Sequence, residues 1–376
     1  MKKAAWVPIV ILLALAAGCI VYVPTDESGR PPVPRTEVTY DRGGERDVSV
    51  FYDDLAPYGN WVDFPRYGFV WIPRHMSYGW RPYTNGRWVW SDYGWTWISS
   101  FEWGWIPFHY GRWGFDRSLG WFWVPDTVWG PAWVAWRTGD MHFGWAPLPP
   151  EAEFIPGMGL RASGFDIPPY YWIFVDGRNF WNDRLDRYVL PYERNLTIIN
   201  YTVINVNIRA RGDRVYNEGF DPDQISQLTR RPITKYILKD ADAPGRARFE
   251  GDDVLIHKPA LSRNRLARPK TVLRPDEAGN ALAGDVADET SLGEGQVREK
   301  KLLKESQDEE IGVIRRKVDE DRKLARTPEE KVKIEREVES KVSELKKMHE
   351  AEKADLEKRQ KQDEDKIKKG KLKKKD

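Results

Sequence analysis

Sixteen of the nineteen tryptophans lie between residues 61 and 145, and they recur about every 26 residues. Trp61, Trp88 and Trp113 form one column, Gly68, Gly94 and Gly120 a second, and Trp71, Trp97 and Trp123 a third. A fixed period in this range marks repeated supersecondary units that bury their faces against one another. The local pattern within each unit is a β-hairpin. Gly86-Arg-Trp88-Val-Trp90 alternates, Ser91-Asp92-Tyr93-Gly94 supplies turn chemistry, and Trp95-Thr-Trp97-Ile98 alternates again. Side chains two apart share a strand face, so Trp88 projects with Trp90, and Trp95 with Trp97. Units built around Trp61 to Ile72 and around Trp113 to Val124 follow the same plan. A glycine closing each turn suits a positive φ. A third short strand is expected after each hairpin, at residues 79–83, 104–108 and 131–136. The fold class this predicts is mainly β. Trp-rich hairpin repeats form a meander, curled sheet or barrel, followed by a second small β-rich unit and a C-terminal charged long helix or helical hairpin.

The N-terminus reads as an export signal. Lys2 and Lys3 precede an apolar run over residues 4–17, then Gly18 and Cys19. That is a charged region, an apolar region and a small-residue cleavage site. Leu15-Ala16-Ala17-Gly18-Cys19 resembles a bacterial lipobox, which implies cleavage at residue 18 and lipid attachment to Cys19, the only cysteine. An uncleaved anchor is the alternative, since residues 4–23 approach the roughly 17–25 residues needed to span a bilayer. The expected address is the cell envelope, facing the periplasm from the outer membrane, or from the inner membrane on the alternative reading.

The rest of the chain divides by composition. Residues 19–48 read as an extended tether, polar from residue 24 on and carrying Pro31, Pro32 and Pro34. Residues 49–150 hold the Trp-rich repeats, ending at Pro147, Pro149 and Pro150, because proline does not continue a sheet interior. Residues 151–260 read as a second β-rich unit, with a β-branched run over residues 195–208 as a strand and a short helix started by Asp221-Pro222. Residues 261–296 read as a linker, and residues 297–376 as a charged helical arm with a basic tail. Thr327-Pro328-Glu329-Glu330 is a capping box with proline at N1 and starts a second arm helix. Val338, Val342, Leu345 and Met348 form a narrow apolar stripe that needs a helix partner, either the preceding helix or another chain.

Tyr58-Gly59-Asn60-Trp61-Val62, Trp80-Arg81-Pro82-Tyr83, Tyr93-Gly94-Trp95-Thr96-Trp97, His109-Tyr110-Gly111-Arg112-Trp113, Trp129-Gly130-Pro131-Ala132-Trp133 and Gly144-Trp145-Ala146-Pro147 carry a resemblance. Over residues 52–260 the chain resembles an uncharacterised family of exported bacterial proteins and lipoproteins rich in Tyr-Gly and Trp motifs. The resemblance implies location and fold type and supplies no catalytic residues. The charged C-terminal helix departs from the family pattern.

Reaction chemistry is not legible. Gly157-Met-Gly159-Leu-Arg-Ala162 matches G-x-G-x-x-A but lacks the strand–turn–helix setting of a nucleotide loop. The calcium-loop echo at Asp240 and Asp242 fails at Pro244 and Gly251. No H-E-x-x-H, G-x-S-x-G or C-x-x-C is present, and the five histidines are scattered. Neither a cofactor nor a metal ion is expected. With 60 basic and 58 acidic residues, net charge points to no polyanion, and no nucleic-acid partner is expected.

The tryptophans support two readings. Aliphatic residues are scarce between 50 and 150, so most rings must form the core. Yet tryptophan is rarely buried completely, and surplus rings would line a groove. The candidate aromatic binding surface comprises Trp80, Trp88, Trp95, Trp97, Trp105, Trp113 and Trp121, with His109, Arg81, Arg87 and Arg112. Such faces suit sugar rings, proline-rich peptide or arginine stacking. The expected function is a non-catalytic, lipid-anchored envelope protein whose β domain binds cell-envelope polysaccharide, such as peptidoglycan, or an envelope protein. A purely structural lipoprotein acting through helix–helix contacts of residues 297–369 is the alternative, and a glycan-acting enzyme the third reading.

Overall fold

A computed structural model describes residues 46–161, 165–212, 214–264, 266–284 and 289–373. The export signal, Cys19 and nearly all of the tether lie outside these residues, as do Ala162 and the last three residues of the basic tail.

The three expected hairpins are present: β1 (Gly59–Phe64) with β2 (Gly68–Pro73), β3 (Gly86–Ser91) with β4 (Gly94–Ser99), and β5 (Arg112–Asp116) with β6 (Gly120–Val124). A fourth, β7 (Val134–Thr138) with β8 (His142–Pro147), completes the set. Every hairpin sets one tryptophan opposite another: Trp61 faces Trp71, Trp88 faces Trp97, Trp113 faces Trp123 and Trp136 faces Trp145. Cross-strand aromatic pairs contribute roughly 0.2–1 kcal/mol beyond small-residue pairs. Gly68, Gly94 and Gly120 close their turns at φ 72°, 83° and 72°, a region that other residues enter only with strain. A second glycine column was not read from the repeat. A Cβ at Gly59 would lie 2.4 Å from the Trp71 ring, and one at Gly111 2.7 Å from the Trp123 ring. Glycine two residues before the first tryptophan therefore lets the opposing indole lie flat over the backbone.

The hairpins do not form one meander, and no sheet among the described residues closes into a barrel. The first and third lie side by side in a four-stranded sheet, ordered β1-β2-β6-β5. The other two are built into sheets with later strands: β9 (Ile173–Asp176), β10 (Val203–Asn205), β11 (Ile208–Arg211), β12 (Arg214–Asn217), β13 (Lys235–Asp240), β14 (Arg248–Glu250) and β15 (Asp253–Ile256). One sheet runs β9-β8-β7-β10 and the other β11-β12-β4-β3-β13-β15-β14. The prolines near residue 150 end a strand, but strands from either side of them share sheets and one continuous core.

Several local expectations are corrected. Of the three extra strands, only the last has a counterpart, shifted to β7. Residues 79–83 are irregular and residues 102–105 form a 3-10 turn. The run over residues 195–208 begins as a helix. Because Arg194, Asn195, Thr197 and Ile198 must all point inward, a helical turn serves better than alternation.

The helices are α1 (Ser49–Leu55), α2 (Asn195–Ile199), α3 (Pro222–Thr229), α4 (Pro275–Gly284), α5 (Glu289–Leu324) and α6 (Pro328–Lys373). Asp221 caps α3 through the Asp223 amide, as expected. The linker expected over residues 261–296 instead contains α4, whose Ala278 packs against Val62, Val70 and Phe122, and the start of α5. The capping box forms: Thr327 Oγ1 accepts from the Glu330 amide at 3.1 Å, and Glu330 Oε2 accepts from the Thr327 amide at 3.3 Å. At 46 residues, α6 extends roughly 70 Å. It folds back on α5, so the partner of the stripe is in the same chain. Leu345 is buried there, and Val338, Val342 and Met348 half-buried.

Candidate functional site

Burial sorts the expected aromatic surface into core and remainder. Trp88, Trp95, Trp97, Trp105 and Trp113 are buried and present no face to a ligand, which corrects their place in a binding surface, while Trp121 is buried except for one edge. The reason is packing. Trp88 meets Trp97 at 4.9 Å, Trp136 at 4.5 Å and Trp145 at 5.6 Å between ring centroids, joining hairpins from two sheets. Trp95 is closed in by Phe220 and Phe180 at 4.7 and 5.2 Å. Trp113 Nε1 donates to the Pro107 carbonyl at 2.8 Å, whereas Nε1 of Trp88 and of Trp97 is buried with no hydrogen-bond partner, so those two rings are held by packing alone.

The polar members of that set are mostly structural. His109 is buried, stacks on Trp129 and lies 3.0 Å from the Gly130 carbonyl through Nδ1. Burial drives its pKa down to about 4, so the ring is neutral near pH 7. Arg112 is also buried. It lies 3.6 Å over the Trp133 ring and donates to the Ala152 and Gly111 carbonyls, and burial lowers its pKa to about 10. Arg87 pairs with Asp183 at 2.6 Å and covers Phe249. Arg81 spends two nitrogens on the Trp172 and Leu190 carbonyls, at 2.9 and 3.0 Å. Asp116, at the turn between β5 and β6, accepts from the Ser118 and Leu119 amides. Asp92 instead accepts from the Leu238 amide, tying β13 to the hairpin turn.

Trp80, Arg81 and the edge of Trp121 converge on one cleft of about 640 Å³. Its body side comes from the irregular segment after β2 and from the third hairpin. Trp80 is partly exposed and meets Trp113 edge-on at 5.6 Å, Phe115 sits 5.4 Å from Trp121, and Tyr170 is 43% exposed. Arg117 is an exposed cation at the rim. Glu299 of α5 and Arg359 of α6 form the opposite wall. Arg359 pairs with Glu193 at 2.6 Å and Glu299 at 2.9 Å, and lies 4.9 Å over Tyr192. Burial pulls its pKa down, but the bond to Glu193 and the charge of Glu299 outweigh that and hold it above the ordinary value.

A second cluster was not read from the sequence at all. Arg194, with no exposed surface, sits between body and arm. Its guanidinium pairs with Glu310 of α5 and, at 3.2 Å, with Glu352 of α6, while Nε reaches Ser306 Oγ at 3.2 Å. Thr197 also donates to Glu352, and His349 lies 3.0 Å from Glu310. His142 lies between Ser306 at 3.2 Å and Tyr201 at 3.3 Å. Burial, then the Arg194 charge, lowers the His142 pKa to about 4. Burial raises the Glu310 pKa, but His349 and Arg194 outweigh that and leave it below the ordinary carboxylate range. A signal was available in part. Residues 292, 296, 299, 303, 306 and 310 follow 4-3-4-3-4 spacing, as do 345, 349, 352, 356, 359 and 363. That is a helix-pair seam carrying polar residues where apolar ones are the rule. Nothing in the sequence points to Arg194 as their partner.

The cluster is sealed, so it acts as a fastening. Among the described residues, no group of three or more His, Cys, Asp or Glu side chains is arranged to hold a metal ion. No helix among them is long and apolar enough to cross a membrane. A model of a family of unknown function, DUF6600, matches residues 52–152, from α1 to just past the end of the fourth hairpin. No curated protein and no solved structure matches the chain.

Proposed function

We propose that the cleft beside Trp80 binds cell-envelope polysaccharide, and that the chain is a non-catalytic envelope protein attached to the membrane by lipid on Cys19. The observation that carries this reading is the contrast in ring exposure. Every hairpin tryptophan but Trp90 is packed away, while Trp80, Phe115, Tyr170 and Tyr192 stay at least partly open around one groove. A sugar ring offers a C–H face to such a platform and hydroxyls to charged neighbours, here Arg117 and Glu299. Concave, largely apolar sites with a few polar groups are the usual form of ligand pockets. Glu299, the carboxylate lining the groove, is held by Arg359 and by Gln360 at 3.1 Å, which suits orientation more than proton transfer. Lipidation is supported by residues 2–19 and is tested by Cys19→Ala, which should leave an unprocessed precursor. For the cleft, titration with solubilised peptidoglycan should change tryptophan fluorescence, and Trp80→Ala should weaken binding by roughly tenfold or more, about 1.4 kcal/mol or above. Equal binding by that variant would defeat the proposal.

A second reading has one observation in its favour. The far half of the arm leaves Leu324 and Val332 78% and 45% exposed. A helical partner there would make the arm an oligomerising element, which sedimentation of the full chain with and without Leu324→Glu would detect.

A further inference from the structure

The cleft is built from two parts of the molecule, and the arm does more than border it. The segment carrying Trp80 has no regular structure of its own. Two residues earlier, Tyr78 is pinned by the arm from both helices. Its ring lies so close to α5 that a Cβ at Gly295 would come within 2.8 Å of it. Its hydroxyl donates to Asp363 of α6 at 2.9 Å and accepts from Arg359 at 2.7 Å. On the other side of Trp80, Arg81 is fixed to body carbonyls. Trp80 is thus strung between an arm anchor and a body anchor. Arg359 also draws Glu193 and Glu299 together, so one α6 side chain links the body, α5 and the Trp80 segment.

From this we infer that Glu299 and Arg359 are ligand-binding residues of the cleft and Tyr78 a positioning residue. The polysaccharide site is then complete only while the arm is docked. The inference rests on the polysaccharide reading above and adds the arm to it. Two sites or states that share contacts are linked reciprocally: whatever docking gives to binding, binding returns to docking. The buried cluster of Arg194, the residue just before α2, joins the body to both arm helices and sets the docked position.

The test uses the full chain and solubilised peptidoglycan. Hydrogen exchange is followed in arm segments 292–310 and 349–363, with binding measured in parallel. Saturating peptidoglycan should slow arm exchange several-fold in the unmodified chain. Glu299→Gln and Tyr78→Phe should each weaken binding by roughly threefold to tenfold, about 0.7–1.4 kcal/mol, while the near-ultraviolet spectrum of the body is unchanged. Gly295→Leu, which drives a side chain into Tyr78, should do the same without touching a charged group. Trp80→Ala, with binding weakened by roughly tenfold or more, should lose arm protection at the peptidoglycan concentration that saturates the unmodified chain while leaving free-state arm exchange as it was. Binding by the Glu299, Tyr78 and Gly295 variants equal to that of the unmodified chain, or arm exchange indifferent to bound peptidoglycan, would overturn the inference and leave the polysaccharide reading standing. Absence of binding by the unmodified chain would remove both together.

Discussion

The hairpin body and the helical arm are held by opposite chemistry. In the body, cross-strand tryptophans from four hairpins meet in one core, and its buried charged or titratable groups are few. Along the arm's seam, Gln296, Ser306, Glu310, His349, Glu352 and Gln360 are all buried. Apolar burial is non-directional and contributes roughly 25 cal/mol per Å². A buried ion network contributes little net stability, because desolvation offsets attraction, but it is lost steeply when one partner is removed. The body therefore tolerates imprecision at its surface, whereas the arm has one correct seat. That difference suits a scaffold that must persist and a wall that must be placed.

The contrast breaks most visibly at its centre. Trp136 is fully buried, touches Trp88, Trp95 and Trp145, and donates from Nε1 to Asn217 at 2.9 Å. Trp136→Ala should cost about 3–5 kcal/mol in denaturant unfolding of the body, from lost contact and the cavity left behind. Arg194→Met should cost a similar or smaller amount, about 3–5 kcal/mol at most, and only in arm docking, because it strands Glu310 and Glu352. Arm hydrogen exchange should rise while the body's unfolding midpoint stays put. Adding Glu310→Gln and Glu352→Gln should restore much of the docking.

Acid sharpens the comparison. The unfolded chain binds more protons at His109 and His142 between pH 6.5 and about 4, where the folded pKa values lie. Stability contributed by keeping these rings neutral is present above that window and lost as pH falls through it. His109 carries this into the body and His142 into the seam, where it meets Tyr201, Ser306, Arg194, Asp176, Arg178 and Glu310. Glu310, with its depressed pKa, adds a loss at still lower pH in the arm alone. Arm protection factors, taken against the intrinsic exchange rate at each pH from 7.5 to 4, should therefore fall more steeply than those of the body, and His142→Asn should flatten the arm's response. The smallest effect is at the hairpin of the arm. Thr327→Ala removes one cap bond and should cost about 1 kcal/mol of local helix stability, visible as faster exchange at residues 329–331 and nowhere in the body.

What the sequence disclosed follows from where the physics is local. Period-two tryptophans, turn glycines with positive φ and the Thr327 capping box each depend on neighbours within a few residues, and all three formed as read. The fourth hairpin was hidden because its turn lacks a closing glycine: Gly139 comes at the start of the turn, before Asp140 and Met141. The sharing of sheets across residue 150 was hidden because β13 joins β3 by a parallel pairing of Lys235 with Trp90, a contact no local pattern encodes. Of the candidate surface read from the sequence, Trp80, Arg81 and Trp121 line the cleft, while the other rings pack inside. Alternation tells which rings share a face and is silent on whether that face is covered. Arg194 was illegible because its meaning lies in carboxylates 116 and 158 residues away.

The division of the rings into core and cleft is tested most directly by radical footprinting of the tryptophans, read by mass spectrometry with and without solubilised peptidoglycan. Trp80 should be oxidised in the free protein and protected in the complex, while Trp88, Trp97 and Trp113 stay unmodified in both. Oxidation of those three at the rate of Trp80, or a Trp80 rate unmoved by bound peptidoglycan, would contradict the account.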